Sequence, residues 1–172
     1  MKLEGKLASA YFNVFLDMPI KWPKSVAKTL PHHWLSITER TSPLSKNHGA
    51  RWSINPFHAA LNFAYALLEG QVLQSVIISG LEPTCGYLHA YEEGTNTLIF
   101  DLMEPFRAAI DKKVLTFFRN TTFHRGDFYQ VLSGECRMNE QLRRYILASC
   151  RLPQSEIDAL ISWLLDRVQA VV

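Results

Sequence analysis

The stretch NPFHAALNFAYALLEGQVLQSVIISG (residues 55–80) decides the fold class of this chain. Asn55–Pro56 starts the longest clean helical pattern in the sequence, since proline is tolerated in the first turn of a helix. The pattern runs through Ser79, and Gly80 predicts its end. Apolar residues at helical spacing predict one buried stripe, made of Leu61, Tyr65, Leu68, Val72 and Val76.

Shorter patterns precede this helix. Apolar residues at helical spacing between Leu3 and Phe15 predict an opening helix that ends near Asp17–Pro19. Residues 18–55 carry four prolines, which predicts loops with one or two short helices and mobility around Ser42–Arg51.

Two more helices are predicted in the C-terminal part. One covers Asn139–Cys150, and the next has Pro153 in its first turn and runs to about Ala170. Strand signals are few, so the chain is predicted to be all-α. With 172 residues, of which 48% are hydrophobic, it has enough chain for one domain with its own core and too little for two. We therefore expect a single helical domain over residues 1–172.

The segment after residue 96 leaves two interpretations open. Thr97–Asp101 has the composition of a short strand, with Pro105 opening a helix behind it. The alternative is one helix over about Thr97–Arg119, although an internal proline costs about 3 kcal/mol and one backbone hydrogen bond. We favour a single helix bent at Pro105, because its wheel separates two faces. The apolar arc holds Phe100, Met103, Phe106, Ile110, Val114 and Phe117, and the polar face holds Asp101, Glu104, Asp111 and Lys112.

Composition narrows the class of protein. A net charge of +2 is mildly basic, which permits nucleic-acid binding without arguing for it. The three cysteines include no C-x-x-C pair, which argues against disulfides and zinc knuckles and favours a reducing cytoplasm. The first residues show no signal-peptide pattern, and no uncharged apolar run reaches the ~18 residues of a membrane span. We therefore predict a cytoplasmic protein that has no membrane partner.

Asp101 and Glu104 are the acidic pair with the clearest chemical potential. They lie one helical turn apart on the same face, and two such close carboxylates repel unless a cation or a proton lies between them. A divalent-metal site is one interpretation, but the pair alone favours a solvated face with Glu104 paired to Arg107. His89 lies in the connection that leads back toward this helix, where a histidine is most often a loop residue. Glu4 lies in the first turn of the first helix, where the helix dipole alone explains a carboxylate.

Four segments, taken in order, carry a resemblance to a known family. They are LEGKLASAYF (3–12), NPFHAALNFAYALLEGQV (55–72), SGLEPTCGYLHAYEEG (79–94) and TLIFDLMEPFRAAID (97–111). Together they resemble the CRISPR-associated integrase–endonuclease family (Cas-one), over residues 3 to about 119. The most specific part is the run GL-x-P-x-x-G-x-LH followed by L-x-x-DLMEPFR-x-x-x-D. The resemblance implies the all-α catalytic C-terminal domain of that family, which cuts and joins DNA during spacer acquisition.

The resemblance also implies the site residues. In the family a metal is held by the glutamate of E-G-x-x-A-x-x-Y-F, the histidine of G-x-LH and the last acid of D-x-x-[ED]. These positions match Glu4, His89 and Glu104, and Asp101 matches the first acid of the last pair, which assists at the edge of the metal. Mn²⁺ or Mg²⁺ is the expected ion. The implied reaction is phosphoryl transfer on DNA, with a DNA 3′-hydroxyl or water as the nucleophile.

The implied partner is double-stranded or branched DNA, held by its backbone without reading of bases. Tyr11 and Asn62 match positions that support the site. Two departures affect substrate contacts more than metal ligation: His58 replaces the first asparagine of N-x-L-L-N-Y-x-Y, and RWSINPFH (51–58) lacks the acid common there. Basic candidates for DNA contacts, for each of which ordinary surface charge is an equally good explanation, are Lys21, Lys24, Lys28, Arg40, Lys46 and Arg51.

Family members carry an N-terminal β-rich domain that builds a homodimer and binds a small CRISPR partner protein (Cas-two). This sequence starts three residues before the motif glutamate, so we expect that domain to be a separate polypeptide, to be lost, or to lie outside a fragment. A second hypothesis follows: a split or truncated, non-catalytic DNA-binding or structural subunit of the same fold. A third and weaker one is a zinc-supported helical domain that uses Cys85 and His89, against which stands the lack of a second well-spaced pair.

Overall fold

A computed structural model describes residues 10–11, 13–38, 53–88 and 94–169 of the chain. Within them the backbone is helical at Ala10, Tyr11 and Asn13, and it forms five complete α-helices, one 3-10 turn and one antiparallel pair of strands. The all-α prediction is confirmed, with a small hairpin added to it. The elements are α1 (Lys24–Ala27), the 3-10 turn (His32–Trp34), α2 (Pro56–Ile78), α3 (Thr97–Asn120), β1 (Phe128–Gln130), β2 (Cys136–Met138), α4 (Glu140–Cys150) and α5 (Gln154–Gln169).

The start of α2 is fixed by Asn55, whose side chain both accepts and donates hydrogen bonds. Its Oδ1 accepts a hydrogen bond from the backbone N–H of Phe57 at 3.0 Å, which caps the helix. Its Nδ2 donates to the carbonyl of His33 at 2.7 Å and to the carbonyl of Ser36 at 2.8 Å. One asparagine therefore both begins the central helix and holds the preceding loop against it.

The end of α2 lies where the sequence predicts it. Gly80 has a φ of 72°, a left-handed conformation that favours glycine. The N–H of Gly80 donates to the carbonyl of Ile77 and the N–H of Leu81 to that of Val76, each at 3.1 Å. This pair of bonds satisfies the last carbonyls of the helix and turns the chain toward α3.

Helix α2 lies at the centre of the fold. The predicted stripe from Leu61 to Val76 is buried, and the helix contacts α3, α4, α5 and β2. By length and composition alone Pro56–Ile78 could cross a membrane, although Glu69 interrupts its apolar sequence. However, 44% of its most apolar window is buried inside the protein, and a core helix passes the same test of length and composition.

Helix α3 runs without interruption from Thr97 through Pro105 to Asn120. The single-helix prediction is confirmed, and a strand over Thr97–Asp101 is wrong. The predicted apolar arc is confirmed for three of its residues and shifted at the others. Met103, Ile110 and Val114 are buried as predicted, Phe100, Phe106 and Phe117 are only partly buried, and Ile99, Leu102 and Phe118 complete the buried face.

Asp111 corrects the predicted polar face of α3. Its side chain is only 5% exposed, whereas the wheel placed it beside the solvated Lys112. The reason is a partner on the neighbouring helix: the hydroxyl of Tyr65 donates a hydrogen bond to Asp111 Oδ1 at 2.5 Å. A buried carboxylate is stable when such hydrogen bonds replace its water.

The hairpin and an aromatic cluster close the end of the fold near the C-terminus of α3. Strands β1 and β2 pair with Phe128 opposite Met138. The backbone N–H of Phe123 donates to the carbonyl of Lys21 at 2.8 Å, and that of Cys136 donates to Ser53 at 2.7 Å. These bonds attach the loop before α1 and the segment before α2 to the hairpin end. The rings that pack there belong to Trp22, Trp34, Phe118, Phe123 and Phe128.

The other predicted elements lie close to their expected positions. Residues 14–17 form turns, so the first helix ends before the predicted Asp17–Pro19. Asn139 caps α4 by accepting from the N–H of Leu142 at 2.7 Å. The predicted mobile stretch Ser42–Arg51 lies outside the described residues, and the single domain over residues 1–172 stays a prediction.

Candidate active site

The carboxylate of Asp101, in the first turns of α3, holds the loop between the two long helices. Its Oδ2 accepts hydrogen bonds from the backbone N–H groups of Tyr87 and Leu88, the second at 2.8 Å. Leu88 directly precedes His89 in the sequence. The structure therefore attaches the chain leading into the predicted histidine to Asp101, which lies one helical turn before Glu104.

A set of bonds around Thr97 keeps this loop close to the helix. The N–H of Gly86 donates to Thr97 Oγ1 at 2.9 Å, and that hydroxyl donates to the carbonyl of Thr84 at 2.6 Å. The N–H of Leu98 donates to the carbonyl of Pro83 at 3.0 Å. A Cβ on Gly86 would lie 2.6 Å from the backbone carbon of Thr97. Only glycine allows this approach, which explains the glycine of the G-x-LH run.

Glu104 projects from the next turn of α3, and its side chain is 37% exposed. One carboxylate oxygen lies 2.9 Å from Arg107 Nε, as the solvated-face interpretation expects. The contact is an ion pair and not an aligned hydrogen bond, because Nε has no partner in hydrogen-bond geometry among the described residues. The Arg107 guanidinium also lies over the ring of Tyr65, 5.2 Å from its centroid.

Tyr11, from the N-terminal helical residues, reaches the buried Asp111. Burial, the negative charge of Asp111 and a hydrogen bond to that carboxylate together raise the pKa of Tyr11. The phenol therefore stays protonated and keeps donating at any ordinary pH. Tyr11 is one of the predicted supporting residues, and no local pattern indicates Asp111 as its partner.

A cavity of about 590 Å³ opens beside Arg107, between α2, α3, β2 and α4. Ring walls come from Phe63, Tyr65 and Phe100. The volume falls within the roughly 300–1,000 Å³ of ordinary ligand pockets. The charged and amide side chains along it are Asn62, Glu69, Arg107, Glu135, Arg137 and Arg143.

The arginines of this cavity were missed as candidate binding residues. Arg137 is bound by Glu135 through two nitrogens, at 3.0 and 2.9 Å. Arg143 has no ion-pair partner within the described part of the chain. Arg137 and Arg143 lie beyond the motifs that carry the resemblance, so no local signal identified them. Arg107 is in a motif, but it was predicted only as a partner of Glu104.

Some of the predicted site residues lie within the described ranges and others lie outside them. Asn62 lines the cavity beside Arg107, and its supporting role stays a prediction. Lys21, Lys24 and Lys28 are exposed, but Lys21 lies near the distal end of α3, where roughly 24 Å of helix separates Asn120 from Glu104. The predicted residues outside the described part of the chain are Glu4, His89, Arg40, Lys46 and Arg51.

The donors that the structure does describe suit a hard divalent cation only in part. Asp101 and Glu104 offer carboxylate oxygens, the preferred ligands of Mg²⁺ and Mn²⁺. Between residues 10 and 169, gaps excluded, no three His, Cys, Asp or Glu side chains gather as a metal group. A complete ligand set would have to include residues outside the described ranges, among which the resemblance implies Glu4 and His89.

The zinc hypothesis gains no support from the described cysteines. Cys85 is exposed, whereas Cys136 and Cys150 are buried. Burial, with the charge of Glu135 added, raises the pKa of the Cys136 thiol, and burial raises that of Cys150 against smaller opposing effects of Ser149 and Lys113. Zinc binds thiolates, which a raised pKa disfavours.

His58, which stands where the family motif has its first asparagine, makes a contact within the fold. It is buried, and its Nε2 lies 2.7 Å from the carbonyl of Thr38. The ring therefore ties α2 to the loop that precedes residue 39.

Comparison with known proteins gives a family match over residues 1–151, to the family described as CRISPR associated protein Cas1. The chain belongs to the Cas1 family. A CRISPR-associated endonuclease Cas1 of Thermus thermophilus is 40% identical over 97 residues, which are 54% of this chain and 30% of that protein. The Cas1 endonuclease of Moorella thermoacetica is 29% identical over 157 residues, 90% of this chain and 41% of the relative. The chain thus spans well under half the length of these Cas1 relatives.

Two solved structures share the fold. A Cas1 protein from Thermotoga maritima superposes with a TM-score of 0.61 at 19% identity, over 81% of this chain and 45% of that one. A casposase bound to its integration product gives a TM-score of 0.58 at 25% identity, over 73% of this chain and 36% of that one. The helical arrangement is therefore that of Cas1 and casposase chains.

Proposed function

We propose that this chain is the catalytic part of a Cas1-type DNA endonuclease and integrase that acts in CRISPR spacer acquisition. The observation that carries the proposal is the pair of hydrogen bonds from the loop leading into His89 to Asp101, one turn before Glu104. Membership of the Cas1 family and the likeness to a casposase bound to its integration product support it. The substrate is double-stranded or branched DNA.

Glu104 and His89, with Glu4 from the first helix, would hold an Mn²⁺ or Mg²⁺ ion. Such an ion polarises a scissile phosphate and stabilises the charge that develops on its oxygens. Asp101 contributes by accepting hydrogen bonds from the Tyr87 and Leu88 amides, which positions the backbone directly before His89. In this assignment Asp101 orients the site and Glu104 is the ligand.

The cavity beside Arg107, the ion-pair partner of Glu104, would receive the DNA. Arg107 and Arg143 line it from two different helices, and aromatic rings offer surfaces for bases. Guanidinium groups bind phosphate oxygens through paired donors. These contacts hold the backbone without reading the sequence.

The test measures product and metal binding separately. The purified chain is incubated with Mn²⁺ and branched DNA, alone and with the β-rich domain of a full-length relative added in trans. We expect cleaved or joined strands, and a loss of roughly a hundredfold or more in Glu104→Gln, since metal sites are sensitive even to changes around their ligands. The control is Glu140→Gln, which removes an exposed partner of Arg144 on α4.

The outcomes of this experiment distinguish the ligand assignment, the alternative function and the proposed function. Product formation that survives in Glu104→Gln contradicts the assignment of the ligand. DNA binding with no product under either condition favours the alternative, a non-catalytic DNA-binding or structural subunit. Calorimetry that detects no Mn²⁺ binding, together with absent product, contradicts the proposed function altogether.

A further inference from the structure

Two segments of the chain carry an excess of positive charge. Residues 18–38 and 112–126 contain seven of the 18 lysines and arginines and none of the 16 aspartates and glutamates. Because the whole chain is nearly balanced at +2, these two segments hold more positive charge than the chain as a whole. The seven residues are Lys21, Lys24, Lys28, Lys112, Lys113, Arg119 and Arg125.

The two segments meet at the C-terminal end of α3, although they are far apart in the chain. The backbone N–H of Phe123 donates to the carbonyl of Lys21 at 2.8 Å. The rings of Trp22 and Phe123 pack with their centroids 5.7 Å apart. These contacts place the exposed Lys21 beside the loop that follows α3. We call the exposed basic side chains of this region the basic end, which consists of Lys21, Arg119, His124 and Arg125.

The cations of the basic end have no acidic partner among the described residues. Neither Lys21, Arg119 nor Arg125 forms an ion pair there. Asp127 adjoins them in the sequence, but its Oδ2 accepts from the backbone N–H of His124 at 2.7 Å and so closes a turn. Exposed cations gathered without acids raise the local positive potential, which attracts an anionic partner.

The exposed side of α3 leads from Glu104 to the basic end. Beyond Glu104 its exposed residues carry no carboxylate, and they are Pro105, Ala108, Ala109, Lys112, Thr116, Arg119 and Asn120. The two long side chains among them, Lys112 and Arg119, are cations about two helical turns apart on one face. A broad polyanion can therefore lie along this side of α3 without meeting an acid of the helix beyond Glu104.

Glu104 lies at the boundary between this exposed side and the cavity. Around the helix, at about 100° per residue, Met103 and Arg107 fall on one side of Glu104, and Ala108 and Lys112 fall on the other. The first two residues line the cavity, whereas the last two are exposed. A DNA that enters the cavity can therefore continue past Glu104 along the exposed side of α3.

The length of α3 sets the distance between the two regions. Arg119 follows Glu104 by fifteen residues of continuous helix, which correspond to a rise of about 22 Å. Since duplex DNA rises 3.4 Å per base pair, this distance corresponds to about six base pairs.

We propose that the exposed side of α3 and the basic end bind the duplex arm of a DNA substrate through its phosphates, about six base pairs from the phosphate at Glu104. The inference rests on the proposed function, in which the reacting phosphate lies near Glu104. A duplex is the occupant because none of the exposed residues of α3 is aromatic, whereas single strands are bound by stacking their bases on aromatic rings. Phosphate contacts of this kind position the DNA without reading its sequence.

The first experiment measures DNA binding without catalysis, in EDTA. The basic-end variant combines Arg119→Gln with Arg125→Gln. The matched control combines Arg151→Gln with Arg167→Gln, which removes the same charge from exposed positions outside the proposed surface. Fluorescence anisotropy at several salt concentrations gives the affinity of each protein for a blunt duplex of about 20 base pairs. The slope of log affinity against log salt should fall by about 2 in the basic-end variant and stay unchanged in the control.

Forked DNA tests the position of the contact. Two forks share the same single-stranded tails and differ only in a hairpin-capped duplex arm of about 4 or about 12 base pairs, of which only the longer reaches about 22 Å from the fork. The parent should bind the long-armed fork severalfold more tightly. The basic-end variant should bind both forks equally. A parent that makes no distinction between the two arms overturns the proposal.

Two further outcomes would also overturn it. One is an equal salt slope in the basic-end variant and the matched control, and the other is a loss of affinity confined to single-stranded DNA. If the basic-end variant fails to fold, Lys112→Gln decides alone, with an expected fall in the slope of about 1.

Product formation with Mn²⁺ separates this inference from the proposed function. The expected changes in binding without any product contradict the proposed function and support the duplex surface. Product formed by a parent whose basic-end variant binds like the control contradicts the duplex surface alone.

Discussion

The carboxylate of Asp101 accepts a hydrogen bond from the backbone N–H of Leu88 at 2.8 Å. It also accepts from Tyr87, so one helical side chain holds two consecutive amides of an exposed loop. The next residue along the chain is His89. Asp101 therefore holds the backbone directly before His89.

Replacing Asp101 by alanine should loosen this loop. Two backbone amides lose a charged acceptor, and bonds to charged groups contribute more than neutral ones, so the free energy of unfolding should fall by about 1–2 kcal/mol. Hydrogen exchange at Tyr87 and Leu88 should become at least about tenfold faster, since 1.4 kcal/mol corresponds to that factor. Asp166→Ala, at an exposed position on α5, is the control. Unchanged exchange at both amides would show that other contacts hold the loop.

Two glycine-to-alanine substitutions should have opposite effects. At Gly86 a Cβ would lie 2.6 Å from the Thr97 backbone, so the loop must shift, at a cost of about 1–3 kcal/mol. At Gly70, inside α2, a Cβ meets nothing within 4 Å, and alanine should stabilise the helix by up to about 1 kcal/mol. Urea unfolding of both variants measures the difference. A Gly86→Ala protein as stable as the parent would contradict the close packing of the loop.

Neighbouring arginines on α4 provide a matched test of the cavity. Arg143 lines it without an acidic partner in the described structure, whereas Arg144 is bound to Glu140 at 2.5 Å. Arg143→Ala should weaken DNA binding severalfold and reduce the slope of log affinity against log salt by about 1, as expected for one lost phosphate contact. Arg144→Ala should change neither. Equal effects of the two substitutions would indicate a diffuse charge effect and not a contact in the cavity.

Stability should fall below neutral pH because of His33. Burial, and secondarily the charge of His32, lowers the pKa of His33, so the unfolded chain takes up the proton more readily than the folded one. The free energy of unfolding should therefore decrease as the pH falls from about 6.5 toward the lowered folded pKa, and this contribution should then level off. Urea titrations at several pH values on the parent and on His33→Gln isolate the effect. Identical pH dependence in both proteins would contradict it.

Local sequence patterns were sufficient to predict the long helices. Helix α2 carries a full apolar stripe, a proline start and a glycine end, and all three lie where predicted. The hairpin was not predicted because each strand has only three residues, too few for an alternating pattern. Its pairing depends on contacts with Ser53 and the aromatic cluster, which are distant in sequence.

By itself the sequence determined the helical architecture, the family, and the candidate acids Asp101 and Glu104, because those depend on local periodicity and contiguous motifs. Only the tertiary structure decided that Asp101 holds the backbone before His89 and that Asp111 is buried. It also decided that arginines from different elements line one cavity. The physical reason is that burial and hydrogen bonding of a side chain are set by neighbours from other elements. Tyr65 and Asp111 are 46 residues apart, and no local pattern relates them.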